Sequence, residues 1–271
     1  MKKLFYSSFY LLLIGQAQSQ HSYSTSFYPG SGTYSKKFAD ALSFVSNPAT
    51  LSQIKVAGVG LFAERKYSLK ELSFYTTALA IPTSYGGFGI IARYNGFKDY
   101  NETQFGLAYS KSLGTIDIGA QFNYYSASIA GYGSSGVITA DAGMIWHILE
   151  RVNVGIVIMN MVAGKLKSIE AEKPAIGYKL GIGYDISPLV FLSTEIIKEE
   201  NNPVNIIAAL QYKVADKFFL RGGIYTSTAS PWLGAGLAWK NFRVDITSSY
   251  HPQLGISPGL FILYNIKQNK E

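Results

Sequence analysis

The sequence predicts an all-β protein, a transmembrane antiparallel β-barrel of about fourteen strands with an N-terminal plug segment. Three observations predict it. Apolar and polar or small residues alternate with period two over most of the chain, as in strands with two different faces. The alternating segments are roughly ten to thirteen residues long, the length of a tilted strand crossing a bilayer. Past the first twenty residues there is no apolar run long enough for a membrane helix, so a closed barrel is the one architecture left that could span.

Composition agrees. The 271 residues are 48% hydrophobic and only 15% charged, with 27 Gly, 20 Tyr and 16 Phe, a balance that suits strands facing lipid. The absence of cysteine excludes disulfides, thiolate catalysis, cysteine-type zinc sites and a lipoprotein acylation site. The net charge is +7, but Lys and Arg are scattered or sit in polar loops. They suit outer-membrane lipids and lipopolysaccharide better than nucleic acid, and no nucleic-acid partner is expected.

Residues 1–19 read as a secretory signal peptide: Lys2-Lys3, an apolar run from Leu4 to Ile14, then the small-x-small site Ala17-Gln18-Ser19. Residues 20–53 precede the first strand and are expected to form a plug, with a helical stretch from Lys36 to Val45. The barrel is expected over 54–266, with a tail at 267–271.

Within the barrel, the segment from Thr115 to Tyr125 sets Thr115, Asp117, Gly119, Gln121 and Asn123 against Ile116, Ile118, Ala120, Phe122 and Tyr124. Phe242 to Tyr250 repeats the pattern, as do Tyr178 to Asp185 and Asn205 to Lys213. Tight turns are expected near Pro82-Thr83, Leu113-Gly114, Leu149-Glu150, Ser187-Pro188, Ala215-Asp216 and Lys240-Asn241. Longer connections are expected near Tyr67, Lys98 to Asn101, Ala130 to Ser135, Gly164 to Lys173, Glu199 to Pro203, Thr226 to Ser230 and His251 to Leu254. The alternation of the two kinds puts the tight turns in the periplasm and both barrel ends on that side.

No catalytic chemistry is legible. His21, His147 and His251 lie far apart with no Asp or Glu at ligand spacing, so neither a metal site nor a Ser-His-Asp arrangement is expected, nor any cofactor. The protein reads as non-enzymatic. The pairs Gly58-x-Gly60, Gly87-x-Gly89, Gly181-x-Gly183 and Gly234-x-Gly236 do not follow a strand and open a helix, so they read as small lumen-facing or close-packing positions rather than a nucleotide loop. The expected inward charges are Glu64, Glu71, Arg93, Asp117, Asp141, Lys179, Asp185, Glu195, Arg221, Arg243 and Asp245. Their mixed signs favour pairing over a selective ring. Tyr67, Tyr85, Tyr94, Tyr109, Trp146, Tyr184, Tyr212, Trp232 and Trp239 are expected in aromatic girdles.

The run Ala39-Asp40-Ala41-Leu42-Ser43-Phe44-Val45-Ser46-Asn47-Pro48-Ala49-Thr50-Leu51 resembles the Asp-Ala…Asn-Pro-Ala-x-Leu element before the first strand of FadL-type and PorV/PorQ-type bacterial outer-membrane barrels. Gly155…Asn160, Pro174 and Lys179 to Tyr184 resemble a PorV-like strand, loop and strand, and Phe242 to Gly255 is similar to the end of that pattern. A FadL-like resemblance implies passive transport of hydrophobic small molecules, with Asn47, Pro48 and Ala49 as gating positions in the plug. A PorV/PorQ-like one implies an accessory of type IX secretion whose partners are secretion-system proteins. A third reading is a structural barrel with a sealed lumen.

Overall fold

The computed structural model describes residues 32–161, 164–165, 174–200, 202–215 and 217–266. The expected signal peptide, the first part of the expected plug and the C-terminal tail lie outside the described residues. No described helix is long and apolar enough to cross a membrane, which says nothing about crossing by strands.

Fourteen antiparallel strands make the wall: β1 (Gly58–Arg65), β2 (Ser73–Thr83), β3 (Gly86–Gly96), β4 (Tyr100–Ser112), β5 (Ile116–Ile129), β6 (Gly133–Leu149), β7 (Val152–Met159), β9 (Gly177–Asp185), β10 (Val190–Glu199), β11 (Asn205–Ala215), β12 (Phe218–Tyr225), β13 (Ser230–Trp239), β14 (Phe242–His251) and β15 (Gly255–Asn265). A two-residue strand, β8 (Gly164–Lys165), pairs with β6 beyond the end of β7. Each wall strand pairs with its sequence neighbour, and β1 pairs with β15 in the register Phe62 to Phe261. That last ladder closes the barrel and leaves no open edge, which is what a sheet in hydrocarbon requires.

The period-two alternation becomes an inside and an outside. Outward residues such as Phe105, Leu107, Phe122, Ile182, Leu233 and Ile246 are exposed, while their neighbours Gln104, Gln121, Gly183, Trp232 and Asp245 are not. A closed cylinder with an apolar outer wall and a polar interior is the architecture of bacterial outer-membrane proteins. Tyr85, Tyr109, Trp146, Tyr184, Tyr212 and Trp239 form an exposed aromatic belt near the tight-turn end. Trp232 departs from the expected girdle: it is 5% exposed and faces the lumen.

The tight turns fall where the sequence puts them. Lys240 takes φ 55 in its two-residue hairpin turn, the left-handed geometry that matches strand twist. Three of the longer connections expected at the other end come out short, because strands run further than their polarity suggests. Asn101, Ser134 and Ser135 belong to strands, leaving loops at 97–99, 130–132 and 252–254 no longer than the turn at 113–115. The expected helix over Lys36 to Val45 is also absent. That stretch is a chain of turns ending in the 3-10 turn η1 (Ser43–Val45), followed by η2 (Pro48–Gln53). Two more short 3-10 turns, η3 (Lys66–Ser68) and η4 (Lys70–Leu72), link β1 to β2.

The core lies between the N-terminal segment and the inner wall. Leu42, Phe44, Leu51 and Ile54 from the segment pack with Phe62, Phe74, Ile91, Phe261 and Leu263 from strands on both sides of the closing ladder. Tyr34 and Phe38 pack on Phe191 in a second cluster.

Candidate functional site: the lumen and the segment within it

The segment from Gly32 to Ala57 folds inside the barrel because local caps hold its turns. Asn47 caps η2, its Oδ1 accepting from the Ala49 amide at 3.0 Å, with Pro48 supplying the fixed φ of a first helical residue. Asp40 and Ser43 cap each other: the Asp40 amide donates to Ser43 Oγ at 3.0 Å, and Asp40 Oδ1 accepts from the Leu42 amide and Ser43 Oγ. Thr50 Oγ1 donates to the Thr33 carbonyl at 3.2 Å and joins the two arms.

The wall receives this segment on glycines. A Cβ on Gly60 would lie 2.4 Å from Leu42, on Gly89 2.8 Å from Phe44, on Gly119 2.4 Å from the Ala49 nitrogen, on Gly143 2.1 Å from Asn47 Oδ1, and on Gly181 2.2 Å from the Tyr34 ring. Three of the four glycine pairs singled out in the sequence touch the segment; in the fourth, Gly236 makes room for Asp245. Inward glycines bring the wall backbone within contact of a chain that any side chain would push away. Asn47, Pro48 and Ala49, the gating candidates, are buried against Gly119 and Gly143 at the centre of this seat.

Polar ties complete the attachment. Ser35 Oγ donates to Asp185 Oδ1 at 2.6 Å. Lys179 Nζ donates to Ser46 Oγ at 2.7 Å, and that hydroxyl donates to Glu195 Oε1 at 3.3 Å, so both charges meet on one serine. Gln53 Nε2 donates to Asp117 Oδ2 at 3.2 Å, and Asn153 Nδ2 to the Tyr34 carbonyl at 2.8 Å. His147 stands between Asp117 and Asn153, at 2.8 and 2.6 Å. No carboxylate at ligand spacing from this histidine is expected from the sequence; the β5–β6 ladder supplies Asp117. It makes a hydrogen-bonded bridge, and no described group of three or more His, Cys, Asp or Glu could hold a metal.

Of the expected inward charges, Glu64, Arg93, Asp117, Asp141, Lys179, Asp185, Glu195, Arg221, Arg243 and Asp245 occupy inward strand positions. Glu71 does not. It lies in η4 and is exposed, because the chain leaves the wall after Arg65 and re-enters at Ser73. The inward charges are linked in groups. Arg243 Nε donates to Asp245 Oδ1 at 2.9 Å, Arg221 Nη2 lies 3.4 Å from Asp245 Oδ2, and Arg243 Nη1 lies 3.9 Å from Asp40 Oδ2. Arg93 Nη1 donates to Gln104, Gln104 to Asn123 and Asn123 to Asp141, at 3.0, 2.7 and 2.8 Å. Burial pushes the Asp40 carboxyl up to about 6, with Arg221 offsetting only part of the effect. Near the loop end, Phe74, Arg93, Asn95, Glu102 and Tyr125 enclose a cavity of about 30 Å³, room for little more than a water molecule.

Ser35, Asp40, Ser46, Gln53, His147 and Asn153 carry the attachment and were not singled out in the sequence as tethers. The inward glycines were the available signal.

No protein-family model and no curated protein matches the chain. Among solved structures it is similar to the toluene transporter TodX of P. putida, with a TM-score of 0.60 at 10% identity over 85% of this chain and 95% of that one. It is also similar to a TodX variant described as a monoaromatic hydrocarbon channel, with a TM-score of 0.61 at 9% identity over 84% and 94%. A Pseudomonas aeruginosa FadL homologue superposes with a TM-score of 0.56 at 11% identity, over 83% and 93%. At these identities the likeness establishes a shared barrel fold.

Proposed function

We propose that this is a non-enzymatic outer-membrane channel for the passive passage of hydrophobic small molecules, with the N-terminal segment as its hatch. The observation that carries the reading is the seat of Asn47, Pro48 and Ala49 against inward glycines inside a closed barrel. The segment is a separate body held to the wall by side-chain ties, so it can leave while the ladders stay intact. The fold shared with proteins described as a toluene transporter and a monoaromatic hydrocarbon channel supports this choice of cargo.

One observation favours a competing reading. The ties that hold the segment to the wall are buried, which suits a sealed barrel. Such a barrel would serve as a structural protein or as a PorV/PorQ-like accessory presenting its rim to secretion-system proteins.

A disulfide lock separates the two. A Cβ on Gly58 would lie 3.5 Å from the Ala41 Cβ, within the range a disulfide spans, and the chain has no other cysteine. The Ala41→Cys/Gly58→Cys protein, placed in bilayers with a lipopolysaccharide outer leaflet that slows hydrocarbons, is expected to pass toluene when reduced and to lose that flux when oxidised. Equal flux in both states refutes the hatch, and no flux in either state or in the unaltered protein favours the sealed barrel.

A further inference from the structure

At the tight-turn end a cavity of about 250 Å³ lies between the N-terminal segment and the ends of β11 to β15. Among the described residues, Lys37, Lys213, Lys240 and Arg243 line it against a single carboxylate, Asp40. A concave surface with that excess of positive charge concentrates anions. Lys240 contributes from the rim, its Nζ 5.6 Å over the Trp239 ring.

Gln211 is the independent observation. It points inward from β11 on the cavity lining, is 1% exposed, and neither Nε2 nor Oε1 has a hydrogen-bond partner. Buried amides are almost always satisfied, so one left open at both ends calls for a partner. Arg243, which lines the same cavity from β14, directs Nε and Nη2 at Asp245, while Nη1 stands 3.9 Å from Asp40, beyond hydrogen-bonding range. An amide donor and a guanidinium donor therefore border the same space.

We propose that this cavity binds a small oxyanion, a carboxylate or phosphate group, with Gln211 Nε2 and Arg243 as donors and Lys37 and Lys213 supplying the attracting field. The site is independent of the channel reading, since a sealed barrel would carry it equally.

The test is calorimetric titration of the purified full chain in dodecyl maltoside with inorganic phosphate and, separately, with decyl phosphate below its micellar concentration. The unaltered protein is expected to bind saturably. Gln211→Leu is expected to weaken binding about tenfold or more, the worth of one hydrogen bond to a charged group. Lys213→Gln, kept as the second variant should Gln211→Leu fail to fold by its gel mobility, is expected to weaken it also. Saturable binding of phosphate identifies a free anion as the ligand, and binding of decyl phosphate alone identifies the head group of an amphiphile; both support the site. No saturable binding of either probe, or unchanged affinity in both variants, overturns it.

Discussion

Replacing Gly119 by alanine should loosen the N-terminal segment without opening the wall. The added methyl would meet the Ala49 nitrogen at 2.4 Å and the Pro48 carbonyl carbon and oxygen at 2.5 and 2.7 Å. All three are backbone atoms, so no rotamer change relieves the clash. The backbone of η2 must retreat by about 1 Å to restore ordinary contact, and overpacking of this kind costs about 1–3 kcal/mol. That cost falls on the docked state of the segment. The ladder pairs of Gly119 with Ser110 and Gly143 are untouched. The reporter is the Thr50 amide, which donates to the Asn47 carbonyl at 3.0 Å and is buried. Its hydrogen exchange should speed by about 5- to 150-fold, the ratio that corresponds to the same cost. Amides of β5 should exchange as before. Gly222→Ala is the control, because its methyl meets the mobile Leu233 Cδ2 at 3.0 Å and should leave Thr50 as it was. Unchanged exchange at Thr50 in Gly119→Ala, or equal acceleration in β5, would refute the idea that segment and wall are separable bodies.

Two further outcomes are expected. Burial raises the Asp40 carboxyl from 3.8 to about 6, so the docked segment binds that proton more tightly than the undocked one. Docking is then strongest below the undocked value, weakens as pH rises from about 4 to about 6, and levels off above. Protease cleavage of the segment should increase across that window, and Asp40→Asn should remove the pH dependence; a flat profile in the unaltered protein contradicts it. Leu107, 64% exposed on the outer face of β4, should tolerate Arg poorly. Leu107→Arg is expected to lower barrel stability by about 2–4 kcal/mol in lipid-refolding titrations, and a neutral effect would mean that this face does not meet hydrocarbon.

Much of this protein is local and therefore legible in its sequence. Alternation such as Thr115 to Tyr125 fixes which residues share a face, since successive side chains on a strand point to opposite sides. Residues at turns, such as Leu113-Gly114 and Lys240-Asn241, mark the hairpin ends because their backbones suit reversal. Strand length and the lack of a helical span then leave a barrel as the way to satisfy the backbone in lipid. Asn47-Pro48-Ala49 stood out in the sequence through its family resemblance, and the structure shows it as a local cap. Other features are contacts between residues far apart in the chain, and no local pattern encodes them. Lys36 to Val45 has apolar residues enough for a helix, yet its Phe38 and Leu42 side chains are drawn into two different wall clusters and the backbone turns to follow them. Glu71 alternates like an inward residue but sits in a turn outside the ladder. The Asp117–His147–Asn153 bridge, the Ser46 contact with Lys179 and Glu195, and the meeting of Asp40 with Arg243 each join separate elements. The sequence by itself determined a closed antiparallel barrel and marked off an N-terminal element before its first strand. Only the tertiary structure decided where that element sits and what holds it, because barrel closure sets which inward glycines and charges face the same point in the lumen.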